Sequence, residues 1–160
     1  MVSILKYRPS FGHFALLFVV ATCLFSNAIA HPQTEEESRA RIQKLISTTF
    51  DRPDLKVQTD PIVIEGKVAI ADWTQGQKGG RALLRRKHAD WEIIACGGAG
   101  FKDPGSITAA GISREIASNI TAKLKTAESS LSAQKIKQLD IFDGVVTMGH
   151  GMHHGSDSKH

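Results

Sequence analysis

The residues best suited to chemistry lie near the carboxyl end of the chain. Five of the seven positions from Met148 to His154 carry a thioether or an imidazole, and glycine fills the other two. These five residues are Met148, His150, Met152, His153 and His154. Thioether sulfur prefers Cu(I), whereas imidazole binds either copper or zinc. The segment therefore predicts a copper site that favours Cu(I), with Cu(II) or Zn(II) as less favoured ions.

A His-rich segment of this kind has a simpler interpretation, namely a purification tag or a loose polar surface. The two methionines argue against a tag, because apart from Met1 they are the only methionines of the chain. Three residues elsewhere are weaker candidate ligands for the same ion: His31, Cys96 and His160.

The amino-terminal residues predict export. Lys6 and Arg8 precede an uncharged apolar run over 14–25, and the small residues of Ala28-Ile29-Ala30 suit a signal peptidase. We expect residues 1–30 to be a secretory signal peptide and the mature protein to reside in the periplasm of a Gram-negative bacterium. The apolar run is shorter than the roughly 20 residues that a spanning helix needs, and no later run approaches that length. We therefore expect no transmembrane segment after cleavage.

Cysteine and histidine near the cleavage site raise two further questions. Lipid attachment at Cys23 is disfavoured, because the residues around it make a poor lipobox. With Cys23 removed, Cys96 is the one remaining cysteine and is either buried and inert or a metal ligand. Cleavage after Ala30 makes His31 the amino terminus, where the α-amino group and the imidazole can chelate Cu(II). Pro32 limits that site, because it has no backbone N–H to join the chelate.

Composition narrows the class of protein. Residues 31–147 suit a single domain, which is followed by the Met/His-rich segment 148–160. The chain has a net charge of +4, and its basic residues are mixed with acids, which argues against a nucleic-acid partner. No nucleophile, base and orienting group fall together in the sequence, so we expect no enzyme.

Local signals predict an α+β fold that places these residues. Thr34 and Glu37 form a capping box ahead of an amphipathic helix over about 35–49. Short β-prone runs then predict an antiparallel meander of three to four strands. These runs are 62–64, 68–73, 82–86 and 91–96.

The carboxyl-terminal part returns to helical patterns. Ser113 and Ser132 each precede a predicted helix, and Val145 and Val146 predict a last short strand. We expect these helices to pack on one face of the sheet, as in other α+β domains. The Met/His-rich residues beyond them are expected to form a flexible tail.

The hairpin before Cys96 allows a register to be predicted. With Ala89 and Asp90 as a two-residue loop, His88 pairs with Trp91. One face then carries five apolar residues, and Cys96 falls on the other. The five are Ala82, Leu84, Trp91, Ile93 and Ala95.

Three other features of the sequence favour structural roles. Residues 75–81 are glycine-rich and are predicted to form a flexible hairpin loop rather than a phosphate-binding loop. Asp72 is expected to be a hydrogen-bonded or edge residue of an apolar strand. Cys96 lies at the end of a predicted strand, and three of the next four residues are glycine. This run favours either close approach of another backbone or an ion, or a small buried thiol at the strand end.

Several segments of the chain also resemble a known family. They are Thr49-Phe50-Asp51-Arg52-Pro53, Asp72-Trp73-Thr74-Gln75-Gly76, Gly79-Gly80-Arg81-Ala82-Leu83-Leu84-Arg85, and Trp91 with Cys96-Gly97. Together they resemble the small periplasmic bacterial proteins called copper uptake system-associated proteins, from about residue 50 into the His-rich tail. The resemblance implies a role in delivering or retaining copper outside the cytoplasm, with a periplasmic copper chaperone or an outer-membrane copper receptor as partner.

The sequence thus predicts a periplasmic copper-binding accessory protein that captures or hands over copper for a copper-uptake system. Two alternatives remain open at this stage. The histidines also suit a zinc-binding or general metal-buffering protein. In the other alternative, the domain is a protein-binding module that docks on a receptor or transporter, and its tail is incidental.

Overall fold

A computed structural model describes residues 34–148 of the chain. They form one sheet and its flanking helices, which confirms the predicted α+β class and the order of the elements. The elements are α1 (Glu35–Phe50), β1 (Gln58–Glu65), β2 (Val68–Gln75), β3 (Lys78–Lys87), β4 (Asp90–Gly97), a 3-10 helix (Ala99–Lys102), α2 (Pro104–Ala109), α3 (Arg114–Glu128), α4 (Ala133–Asp140) and β5 (Val145–Thr147). Within this part of the chain, no helix combines the length and the apolar character needed to span a membrane.

The predicted caps begin the helices. The backbone N–H of Glu37 donates to Thr34 Oγ1 at 3.2 Å, and Thr34 N–H donates back to the Glu37 carboxylate at 3.1 Å, which completes the capping box. Ser113 and Ser132 accept from backbone N–H groups in the first turns of α3 and α4. These side chains satisfy N–H groups that have no partner within a helix, so local sequence fixes where each helix starts.

The sheet is antiparallel, and its strands follow chain order from β1 to β5. It contains five strands, because the last short strand joins the four strands of the meander. Helices α2, α3 and α4 are inserted between β4 and β5. After these helices the chain comes back to the sheet, where β5 pairs antiparallel with β4 and forms an edge strand.

Alternation along the strands separates two apolar layers. On one face, Ile70 and Leu83 pack with Ile120 of α3, so the carboxyl-terminal helices cover this face as predicted. On the other face, Ala69 and Leu84 pack with the buried Ile42 of α1. Successive strand side chains point to opposite sides, which lets one sheet serve both layers.

The predicted register of the β3–β4 hairpin is wrong. Its turn is formed by His88 and Ala89, so that Lys87 pairs with Asp90 and Arg86 with Trp91. His88 adopts a positive φ of 57°, a conformation that Asn, Asp and His tolerate better than most residues. The turn therefore begins at His88, one residue earlier than the predicted turn at Ala89.

A bulge in the same hairpin changes which face of the sheet Ala95 and Cys96 occupy. Leu84 pairs with Ile93 but Leu83 pairs with Ala95, so one extra residue of β4 lies between these pairs. Such an insertion reverses the alternation beyond it. Cys96 consequently joins the α1 layer, and Ala95 joins the α3 layer, which corrects the predicted placement of both residues.

The predicted hairpin connection over 75–81 is present, but it is a two-residue turn and not a loop of seven residues. Its turn contains Gly76 and Gln77, and the next residues already pair with β2 as part of β3. A Cβ at Gly79 would lie 2.7 Å from the backbone oxygen of Gln138. Glycine in this strand thus allows α4 to pack against the backbone of β3.

Candidate metal site at the edge of the sheet

Two of the predicted metal ligands, Cys96 and Met148, lie within the described residues, and the structure brings them together. Both line one cavity of about 200 Å³. We call it the sulfur cavity; its lining residues are Phe50, Trp73, Gln75, Cys96, Phe142, Val146 and Met148. The other predicted ligands lie outside the described residues: His31, His150, Met152, His153, His154 and His160. The predicted signal peptide, 1–30, also lies outside them.

The pairing of β5 with β4 positions Met148. Val146 lies directly opposite Cys96 in the register, and Met148 follows two residues later. The backbone N–H of Met148 donates to Ile94 O at 2.8 Å, which extends the ladder to the last described residue. Residues two apart on a strand share a face, so Met148 is a diagonal neighbour of Cys96 and long side chains bridge such a separation.

Glycine after Cys96 allows the returning chain to come this close. A Cβ at Gly98 would lie 2.3 Å from Phe142 O and 3.0 Å from Asp140 O. Real Cβ atoms do not approach an oxygen at 2.3 Å, so a larger residue would push the 140–142 segment away. Of the two interpretations of the 96–100 run, close approach of another backbone accounts for this glycine.

Aromatic rings enclose the same cavity. The Trp73 and Phe142 rings meet edge to face, with their centroids 6.1 Å apart and their planes at 81°. The side-chain amide of Gln75 donates to Phe50 O at 2.8 Å and to Leu55 O at 3.0 Å. These contacts tie the end of α1 to β2, leaving an apolar space beside the thiol.

The Cys96 thiol is free and only 7% exposed. Burial raises the pKa of this thiol to about 11, because the low-polarity surroundings disfavour the thiolate. At neutral pH the sulfur is therefore protonated and a poor nucleophile. A metal ion can still bind it by displacing the proton, which couples metal binding to proton release.

On the opposite face of the sheet from the sulfur cavity, a cluster of charged residues surrounds the fully buried Arg81. Its Nε donates to Glu128 of α3 at 2.7 Å, and its Nη1 donates to Asp140 of α4 at 2.9 Å. Asp72, its partner across the strands, lies 3.6 Å from the same Nε. Lys102 also donates to Asp140, at 2.7 Å. The cluster fastens both helices to the sheet through charged groups.

Asp72 is fully buried in β2, an interior strand of the sheet, which corrects the expectation of an edge residue. Neither carboxylate oxygen accepts a hydrogen bond from the described residues. Burial, followed by the negative charge of Glu128, raises the pKa of Asp72 to about 8. A protonated Asp72 becomes a donor toward Glu128, which removes one negative charge from the buried cluster.

Sequence analysis missed the pairing of Asp72 with Arg81. The signal was present, because a two-residue turn at Gly76 and Gln77 places these two residues opposite each other. Treating 75–81 as an open loop removed Arg81 from the strand and left Asp72 without a partner. The partners in α3 and α4 carry no such local signal, since they depend on helix packing.

Among residues 34–148, no group of three or more His, Cys, Asp and Glu side chains is arranged to hold a metal ion. A metal site at the edge of the sheet therefore depends on methionine sulfur or on residues after Met148. Comparisons with protein-family models, with curated protein sequences and with solved structures find no match to the chain.

Proposed function

We propose that the protein is a periplasmic copper-binding accessory protein, related in role to the copper uptake system-associated proteins, that captures or hands over Cu(I) without catalysing a reaction. One observation carries the proposal: Met148, the first residue of the Met/His segment, lines the same cavity as the free thiol of Cys96. A thiol and a thioether are both soft ligands, and together they favour Cu(I) over the harder divalent ions.

The structure describes Met148 alone among the residues of the Met/His segment. Met148 is held by the β4–β5 ladder and lines the sulfur cavity. Three imidazoles and a second thioether follow it within six residues of the chain, and this covalent link would raise the effective concentration of metal ligands available to an ion bound at Met148. This arrangement suits capture of an ion from a donor and its release to an acceptor, such as a periplasmic copper chaperone or an outer-membrane copper receptor.

The experiment is a competition titration of the full chain with Cu(I), Cu(II) and Zn(II). Replacing Met148 and Met152 by leucine keeps their bulk but removes both thioethers, and we expect Cu(I) affinity to fall by about tenfold or more while Zn(II) affinity changes little. Replacing His150, His153 and His154 by alanine should weaken both ions. A double leucine variant that retains the parent's Cu(I) affinity would contradict the proposal, and equal affinity for Zn(II) would favour a metal buffer.

The second candidate function is docking on a receptor or transporter. Three large apolar residues of the described region are exposed, and all lie at or near β5: Ile141, Val145 and Val146 at 59%, 40% and 47%. An edge strand with apolar side chains can pair with an extended strand of a partner. Val145→Lys with Ile141→Lys should abolish binding to such a partner and leave Cu(I) affinity unchanged, whereas loss of Cu(I) binding with partner binding intact would argue against docking.

A further inference from the structure

We propose that Cys96 and Met148 hold one Cu(I) ion inside the sulfur cavity, as an inner site distinct from the imidazoles that follow in the chain. The inference rests on the proposed function for the identity of the metal and adds the ligands that the fold itself supplies. It makes Met148 the residue shared between the fold and the Met/His segment.

The register carries the geometric part of the argument. Cys96 faces the α1 layer because of the bulge in the β3–β4 hairpin, and the pairing of β5 places Met148 diagonally across from it on that face. Without the bulge the thiol would point toward α3, away from Met148. A sulfur ligand from β4 and one from the residue that follows β5 therefore line one cavity, although their residue numbers differ by 52.

The lining of the cavity selects the charge of the ion. It contains no charged side chain, and the amide nitrogen of Gln75 is already bonded to Phe50 and Leu55 oxygens. One thiolate, one neutral thioether and Cu(I) sum to zero charge, so the bound complex does not bury a net charge. Zn(II) or Cu(II) with the same ligands would leave one positive charge in apolar surroundings, which is costly.

Binding requires a simple exchange. The Cys96 Sγ–H bond breaks, the proton passes to water, and an Sγ–Cu(I) bond forms; the Met148 sulfur donates a lone pair to the same ion. No electron is transferred, so neither an oxidant nor a reductant is needed. The half-exposed Val146 borders the cavity and gives water and the ion a route to the thiol.

The test measures the alkylation rate of Cys96 in full-length protein that retains Met148 but lacks the other predicted ligands of the tail. His150, His153, His154 and His160 are replaced by alanine, Met152 by leucine, and Cys23 by serine so that Cys96 is the one thiol. We expect one equivalent of Cu(I) to slow alkylation by about tenfold or more, because the metal occupies the reactive sulfur, and Zn(II) to leave the rate unchanged.

A matched pair of substitutions then tests the thioether. In the same protein, Met148→Leu should weaken Cu(I) binding by about tenfold or more, since it removes one of two ligands. Thr147→Val alters the adjacent residue of β5, whose side chain points to the opposite face of the sheet, and should leave Cu(I) affinity unchanged. Equal losses in the two variants would show that β5, rather than its sulfur, determines binding, and would overturn the inner site.

The outcomes separate the inference from the proposed function. If the parent binds Cu(I) but this tail-substituted protein leaves Cys96 as reactive with Cu(I) as without it, the inner site is wrong and the tail site stands. If the thiol is protected while substitution of the tail leaves the parent's Cu(I) affinity unchanged, the tail-based function fails and the inner site stands. Protection by Zn(II) equal to that by Cu(I) would overturn the argument from charge.

Discussion

The two faces of the sheet differ in chemistry: one buries a cluster of charged residues, and the other borders an apolar cavity. Toward α3 and α4, Arg81 is fully buried among three carboxyl groups, and two of them, Glu128 and Asp140, attach the helices to the strands. Toward α1, the layer leaves a cavity beside a free thiol. Asp140, held by Arg81 at the end of α4, lies just before the segment that leads to β5. The charged face therefore positions the strand that completes the cavity on the other face.

The largest effect is expected from breaking the charged face. Arg81→Met removes the buried cation and leaves Glu128 and Asp140 without it, which should lower the free energy of unfolding by about 3–5 kcal/mol. Arg85→Met is the matched control, because Arg85 is about half exposed and pairs with Glu92 at 3.3 Å; its cost should stay within about 0–1 kcal/mol. Urea denaturation measures both, and equal costs would show that the buried cluster contributes no more than a surface pair.

A second effect follows from the proton on Asp72. Its pKa is raised in the folded protein, so the folded state binds this proton more tightly than the unfolded state does. The resulting stability is complete below the ordinary carboxyl pKa near 4 and is lost as pH rises toward about 8. Between those values Asp72 should reduce the free energy of unfolding by up to about 1.4 kcal/mol per pH unit.

Asp72→Asn isolates that contribution, because asparagine stays neutral at every pH. The difference in stability between parent and variant should change steadily between pH 5 and pH 7, while contributions from other titrating groups cancel. Denaturation at several pH values provides the measurement. A constant difference would mean that Asp72 is ionised throughout this range in the folded protein.

A smaller effect should distinguish the faces by their packing. Ala95 and Cys96 are adjacent in β4 but point into opposite layers. Ala95→Val adds volume to a filled layer and should cost about 1–3 kcal/mol, whereas Cys96→Val adds volume next to the sulfur cavity and should cost less than about 1 kcal/mol. Thermal unfolding of the two variants tests this order; a larger loss for Cys96→Val would mean that the cavity cannot take an added methyl group.

The parts of the fold that sequence predicted correctly depend on local chemistry. The capping box at Thr34 and Glu37 and the serine caps at positions 113 and 132 determine helix starts within four residues. The apolar runs likewise identify the strands. These signals act over short stretches, so a single sequence contains all the information needed to interpret them.

The parts that sequence could not predict depend on pairing between distant residues. One inserted residue in β4 decides which face Cys96 occupies, and the composition of the strand does not reveal it. The Arg81 cluster joins β2, β3, α3 and α4, and its members become partners through packing of the helices. Cys96 and Met148 could be identified as candidate ligands by residue type. Their proximity could not be predicted, because it depends on how the chain runs from β4 through three helices to β5.

The shortness of β5 has a consequence for how quickly an ion at the proposed inner site would exchange. This strand has three residues, all exposed, and it pairs with the rest of the sheet along one edge within the described region. Segments with so little buried surface open locally at a small free-energy cost, long before the domain unfolds. We expect the Met148 amide to exchange with deuterium much faster than the Leu83 amide of the central strand. The rate at which a bound ion is released would then be set by local opening of β5, and release would not require the whole domain to unfold.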